Sequence, residues 1–282
     1  MTPMDPAIAD TPALGPRVLG PTRHRLRVSD IWGTRGVAWM IGLRDVKAKY
    51  KQAALGPLWL VIAPLGLLGA VTIAFSGVTD VETSGIPYIA FALAGLTVWI
   101  FVQLSLTIGT QVIVGNSQLV RRSPLPRLAL ITGSLIGNLP PFAVMLTISV
   151  VVTAVVRGLP PQVLLLPLLC LWLFIFTFGL TLIVASLAAR FRDLVAAMPL
   201  VIQAGIFVTP VGYGLEGAPS NIHTLLSLNP ITGMIEAWRW ALLDLPDPNL
   251  AVIAVSAGAT VLAVVVGWRV FGRLEVEFAD FV

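Results

Sequence analysis

Four cations, Arg44, Lys47, Lys49 and Lys51, stand just ahead of the stretch LGPLW at residues 55–59. Near a membrane, basic residues attract anionic headgroups by about 1 kcal/mol each, and an arginine can add two parallel hydrogen bonds to a phosphate. The same cations also serve simply to anchor a helix at the interface. Elsewhere, reactive residue types are sparse. Paired carboxylates occur at Asp80 with Glu82 and at Asp244 with Asp247. A membrane-embedded transferase needs such a pair, but these fall in turn-like segments, where acids are ordinarily solvated. Cys170 is the one cysteine, and His24 and His223 are the two histidines, so neither a disulfide nor a Cys/His metal site can be built within one chain. Lys47, Lys49 and Lys51 are the only lysines and none follows glycine, which excludes a G-x-x-x-x-G-K phosphate loop.

The elements that must position these residues follow from composition. Of 282 residues, 57% are hydrophobic and 11% charged, far below the roughly 25% charged of soluble chains. Six stretches carry no Asp, Glu, Lys or Arg: 52–79, 83–120, 128–156, 158–189, 194–215 and 248–268. Each exceeds the roughly 20 residues a helix needs to cross hydrocarbon, and none alternates as a barrel strand must. The sequence therefore predicts an all-α polytopic membrane protein with six transmembrane helices. No acid or cation lies inside a span to relay protons or ions, so active transport needs a motor on another chain.

Charge sets the orientation. With a cytoplasmic amino terminus, the inner segments hold 16 of 18 Lys and Arg and 8 of 14 acids, a charge of +8 against −4 outside. The basic residues are thus sorted by topology and form no nucleic-acid face. The expected location is the cytoplasmic (inner) membrane, multi-pass, with both termini cytoplasmic. Residues 1–28 are rich in Pro, Gly and Arg and predict a flexible cytoplasmic tail without a cleavable signal. Residues 29–56 predict an amphipathic interfacial helix, with Trp32, Trp39, Leu43, Val46 and Tyr50 on one face and Arg44, Lys47 and Lys51 on another. Gly33, Gly36 and Gly42 predict a break in it. Residues 57–268 form the six-span domain, and 269–282 a cytoplasmic C-terminal tail. Within 214–248, on the far side, the apolar pattern is interrupted at Asn229 and Pro230, which predicts two short re-entrant or interfacial helices before the last span.

Four blocks in order along the chain resemble the membrane subunit of type-2 ABC exporters, in the branch that moves lipid-linked polysaccharides such as O-antigen, capsule, teichoic acid or galactan. RDVKAKYKQAALGPLWLVIAPL (44–65) resembles that family's basic helix running into the first span. VGNSQLVRRSPLPRLAL (114–130) resembles its cytoplasmic connection between spans two and three. ARFRDLVAAMPLVIQAGIFVTPVGY (189–213) resembles its R-x-R-D start and T-P-V-x-Y exit around span five. SLNPITGMIEAWRWALL (227–243) resembles its external N-P-x-T-G-x-I-E-x-x-R-W element. Two features depart from the pattern: Leu125 replaces an aromatic before Pro126 and Arg127, and the proline-rich tail is extra.

The resemblance implies a permease that pairs with itself as a homodimer and with two copies of an ABC ATPase. ATP and Mg would then sit on that partner and no cofactor on this chain. It implies a coupling segment at 113–127, with Asn116, Ser117, Gln118, Arg121, Arg122 and Arg127 meeting the ATPase; the same arginines also satisfy the positive-inside rule alone. The implied cargo is a glycan on polyprenyl diphosphate, taken up from membrane lipid. Arg44 would contact the diphosphate, Lys47, Lys49 and Lys51 would steer it, and Gly56 would let the chain turn beside it. Trp99, Phe101, Trp172, Phe174, Phe178, Phe207 and Tyr213 are candidate channel-lining residues; by position alone they are belt or packing aromatics. Alternatives are a type-2 permease for a drug or small lipid and an integral-membrane lipid-glycan transferase.

Overall fold

The computed structural model describes residues 28–51, 53–75, 85–122, 126–215, 220–275 and 278. The expected tail at 1–28 lies outside these residues up to residue 27, as do Asp80, Glu82 and residues 276, 277 and 279–282 of the C-terminal tail. Among the described residues, regular structure is helical and there is no strand. In chain order the helices are α1 (Val28–Lys51), α2 (Trp59–Phe75), α3 (Tyr88–Gly115), α4 (Ser117–Arg122), α5 (Arg127–Gly137), α6 (Leu139–Val156), α7 (Leu166–Arg190), α8 (Asp193–Val208), α9 (Ser220–Leu228), α10 (Thr232–Leu243) and α11 (Leu250–Leu274). Two 3₁₀ turns, Gly56–Leu58 and Pro161–Leu165, lead into α2 and α7.

Among the described residues, five segments are long and apolar enough to cross a membrane: Gly56–Ala74, Tyr88–Gly115, Arg127–Val156, Pro161–Arg190 and Leu250–Leu274. The remaining expected span is the 16-residue α8, which at ~1.5 Å per residue covers about 24 Å of the roughly 30 Å required. Its early end has a local cause. Pro210 disfavours helical geometry at the residue before it, and Thr209 is accordingly extended (φ −104, ψ 131), so the helix stops at Val208. The third span is also two helices rather than one. It turns at Asn138, where Pro140 and Pro141 open α6 and the buried Asn138 side chain donates to Ser105 Oγ at 3.3 Å.

The span α3 is the centre of the bundle. It is buried along most of its length and packs against α7, α6, α10, α5, α8 and α2, whereas the other spans keep most of their surface outward. Phe101, Phe142 and Phe174 meet there, with ring centroids 4.9–5.4 Å apart.

The expected break in α1 does not occur: the helix is continuous from Val28 to Lys51. Gly42 serves a close approach instead. A Cβ on Gly42 would lie 2.7 Å from Ile136 Cγ2, and one on Gly133 would lie 2.8 Å from Ile41 Cγ2, so these two glycines let α1 lie flush on α5. Thr34, Ala38, Ile41 and Gly42 form the buried face. Trp32 and Trp39, 72% and 54% exposed, point away from the bundle, as an interfacial face would.

Candidate lipid-access and coupling site

The predicted basic cluster and the predicted coupling segment meet. Arg44 lies late in α1, and the contact of α1 with α5 carries it to the end of α3. Its Nε and Nη2 donate to Asp45 Oδ1 at 2.9 and 2.8 Å, and Nη2 also donates to Asn116 Oδ1 at 3.4 Å. Asn116 ends α3 and its Nδ2 donates to Val112 O at 2.8 Å, which fixes the amide so that its oxygen faces Arg44. The Arg44 side chain is half exposed, so it retains donors for a second anion.

After α1 the chain reverses sharply. Gly56 takes φ +49, a left-handed value that a side chain disfavours, and its N–H donates to Ala53 O at 2.8 Å. Pro57 then opens the 3₁₀ turn into α2. Under this turn lies a cavity of about 330 Å³ between α1, α2, α3 and α6. Its walls include Tyr50, Trp59, Leu67, Ile100 and Leu104, and Lys49 and Gln103 supply the polar groups. Lys49 is exposed along much of its length, but partial burial against this cavity holds its pKa below the ordinary lysine value. Lys47 and Lys51 are exposed. An apolar slot with the Lys49 ammonium in its lining suits an amphiphile with an anionic head.

The coupling residues diverge in their surroundings. Gln118 is exposed, Ser117 is partly exposed at the start of α4, and the Arg121 and Arg122 side chains lie outside the described residues. Val120, on the same helix, is buried with Ile113 and Leu128 and holds α4 to the bundle. Arg127 is engaged within the chain: its Nη1 donates to Glu275 O, tying the start of α5 to the end of α11.

The candidate lining aromatics are mostly packed inside the chain. Phe101 and Trp99 are buried, and Trp99 lies against Gly205 of α8. Phe174 packs at a tilt against Phe101, and Trp172 donates through Nε1 to Thr260 Oγ1 at 2.8 Å. Phe178 is partly buried. Phe207 is 62% exposed, and Tyr213 is partly buried, with its hydroxyl donating to Phe207 O at 2.8 Å.

Residue-type reasoning missed a second polar centre. Arg239 of α10 is 1% exposed; its guanidinium lies 3.6 Å from the Phe91 ring centroid and donates to Val211 O at 2.8 Å and Tyr213 O at 3.1 Å. Glu236 Oε1 lies 3.4 Å away. Burial pulls the Arg239 pKa down to about 10 against the pull of Glu236, which leaves the group charged at neutral pH. Tyr88 donates to Gly212 O at 2.7 Å, and Asn229 donates to Val208 O and Thr209 Oγ1 at 3.1 and 3.0 Å. The non-helical exit of α8 is thus clamped by three side chains. An arginine within the apolar run AWRWALL was the available signal.

Comparison with known proteins agrees with this architecture. The chain is 28% identical over 241 residues to an O-antigen export system permease protein RfbA of Klebsiella pneumoniae, covering 84% of this chain and 91% of that protein. A second protein of that name and organism is 26% identical over 241 residues, with the same coverage. An O-antigen export system permease protein RfbA of Myxococcus xanthus is 28% identical over 263 residues, or 90% of this chain and 98% of that one. Residues 37–243, from the middle of α1 to the end of α10, match the family described as ABC-2 type transporter. The match takes in the basic helix, the turn at Gly56, the segment around Asn116 and the clamp at Arg239, and the chain belongs to the ABC-2 type transporter family.

Proposed function

We propose that this chain is the membrane subunit of an ATP-driven exporter that moves a lipid-linked polysaccharide out across the cytoplasmic membrane. Membership of the family implies an ABC ATPase as a separate partner chain. The cargo class is supported by the names of the relatives, each an O-antigen export permease aligned along most of its length. The carrying observation is the hydrogen bond between Arg44 and Asn116, which sets the phosphate-binding candidate against the segment that would meet the ATPase.

In this reading the functional unit is a homodimer with two ATPase subunits, which carry ATP and Mg. Six spans cross the inner membrane, α8 completing its crossing through the extended residues after Val208, and both termini are cytoplasmic, as the +8 inner charge favours. The lipid diphosphate approaches under the Gly56 turn. Lys47, Lys49 and Lys51 draw it in, and Arg44 exchanges part of its bonding to Asp45 for phosphate oxygens. That exchange loosens Arg44 from Asn116 and so reports an occupied site to α4, the segment of Ser117, Gln118, Arg121 and Arg122 through which the chain meets the ATPase. Helices α9 and α10 are re-entrant on the far side.

The test is an export assay in cells lacking the native permease. Arg44→Lys keeps the charge but loses the fork, and is expected to lower export at least fivefold while expression and ATPase co-purification stay unchanged. Full export by Arg44→Ala combined with Lys47, Lys49 and Lys51 changed to Gln would reduce all four cations to anchors and overturn the uptake role.

A further inference from the structure

A second cavity shares no lining residue with the one under Lys49. It is a groove of about 680 Å³ between α1, α5, α7 and α11, within the roughly 300–1,000 Å³ of small-molecule sites. Leu135, Phe174, Phe178 and Val265 form apolar walls, and Trp268 and Arg269 continue the lining along α11 toward its C-terminal end. Val265 and Arg269 are both exposed, so the groove opens on the flank of the bundle.

Among the described residues Arg269 is the only charged one lining it, and no carboxylate of that set pairs with it. Its depth is set by α11. Nineteen residues separate it from Leu250, about 28 Å at a ~1.5 Å rise, which is nearly one hydrocarbon thickness. The guanidinium therefore lies at headgroup level when Leu250 lies at the opposite interface, and Trp268 beside it is a residue type that favours that level. A peptide laid along these walls would leave backbone amides unpaired, because the lining offers few polar groups. An acyl chain carries no such penalty, and a phosphate at its head meets a cation able to form two parallel hydrogen bonds.

We propose that this groove holds one anionic phospholipid, its acyl chain along α7 and α11 and its phosphate on Arg269. The proposal rests on the orientation proposed above only for the leaflet served, the cytoplasmic one. The bound lipid bridges α1 to the α7 and α11 pair, since Ile31 of α1 also lines the groove.

Native mass spectrometry of the delipidated full chain tests it, using phosphatidylglycerol and phosphatidylcholine with identical acyl chains. The wild type is expected to retain one phosphatidylglycerol about tenfold more tightly than phosphatidylcholine. Arg269→Gln is expected to abolish that preference, and Val265→Trp, at an exposed position that tolerates bulk, to weaken both lipids. Arg273→Gln, one turn beyond the groove, is expected to change neither. A preference that survives Arg269→Gln, or that falls equally with Arg273→Gln, overturns the proposal. So does displacement of the bound lipid by equimolar polyprenyl diphosphate, which would make the groove part of the cargo route. None of these readouts requires export, so failure of the proposed function would leave them standing.

Discussion

Arg44 and Arg239 are the same residue type in opposite circumstances. Arg44 stands half exposed at one end of the bundle, paired with a neighbouring carboxylate and reaching one amide. Arg239 is sealed beneath α3 and the exit of α8, with two backbone carbonyls, a carboxylate and an aromatic face around it. A surface ion pair contributes little to folding, because water and salt screen it and ordering two side chains costs entropy. A buried guanidinium is different: its removal leaves desolvated carbonyls without donors. The contrast teaches that Arg44 keeps part of its guanidinium open to water, while Arg239 uses its donors to hold the exit of α8.

Breaking that contrast at its strong end gives the largest expected effect. Arg239→Leu should destabilise the detergent-solubilised chain by roughly 3 kcal/mol in thermal unfolding, against under ~1 kcal/mol for Arg44→Ala. Equal losses would mean that Arg239 is no clamp.

A change at the seat of α1 should cost less. Gly42→Val places carbon where Ile136 already sits and is expected to cost about 1–3 kcal/mol. In a background with Cys170 replaced, a cysteine at Ala38, 1% exposed in the native packing, should then label faster with a water-soluble maleimide. Unchanged labelling would show that α1 does not depend on this approach.

The smallest effect belongs to Lys49. Burial lowers its pKa in the folded chain, so between the lowered value and the ordinary one near 10.4 the unfolded chain binds more protons. Stability must therefore rise with pH across that window. Lys49→Met is expected to raise the melting midpoint slightly at pH 7, with the gain shrinking as pH climbs through the lowered value. A gain that instead grows with pH would contradict the partial burial of Lys49.

Much of the architecture was legible because hydrocarbon leaves few options: a long apolar run that does not alternate as a barrel strand must satisfy most of its backbone within a helix. The amphipathic pattern around Trp32 and Trp39 marked a helix, and Asn229 with Pro230 marked the interruption between α9 and α10. Tertiary choices were not legible. Of the three glycines that read as helix breakers in α1, Gly42 is a contact point, because a helix packed on another tolerates glycine where the missing side chain makes room, whereas Gly33 and Gly36 face open space without breaking the helix. The end of α8 was written in Thr209 and Pro210, but apolar residues beyond it masked the stop. Of the site, the cations and the Gly56 turn could be found by type and spacing. The meeting of Arg44 with Asn116 could not, because 72 residues separate them and only the packing of α1 on α5 brings them together.

The turn at Asn138 has a mechanical meaning. Helix α5 is short, begins just beyond α4 and ends where the backbone changes course, and α1 is seated along it. The turn stands eleven residues, or about 16 Å, from Arg127, at the opposite end of α5 from α4. Helix α1 is seated on α5 near that far end, where Gly42 meets Ile136 and Gly137 faces Asp45, so Arg44 is anchored beside the turn rather than beside Arg127.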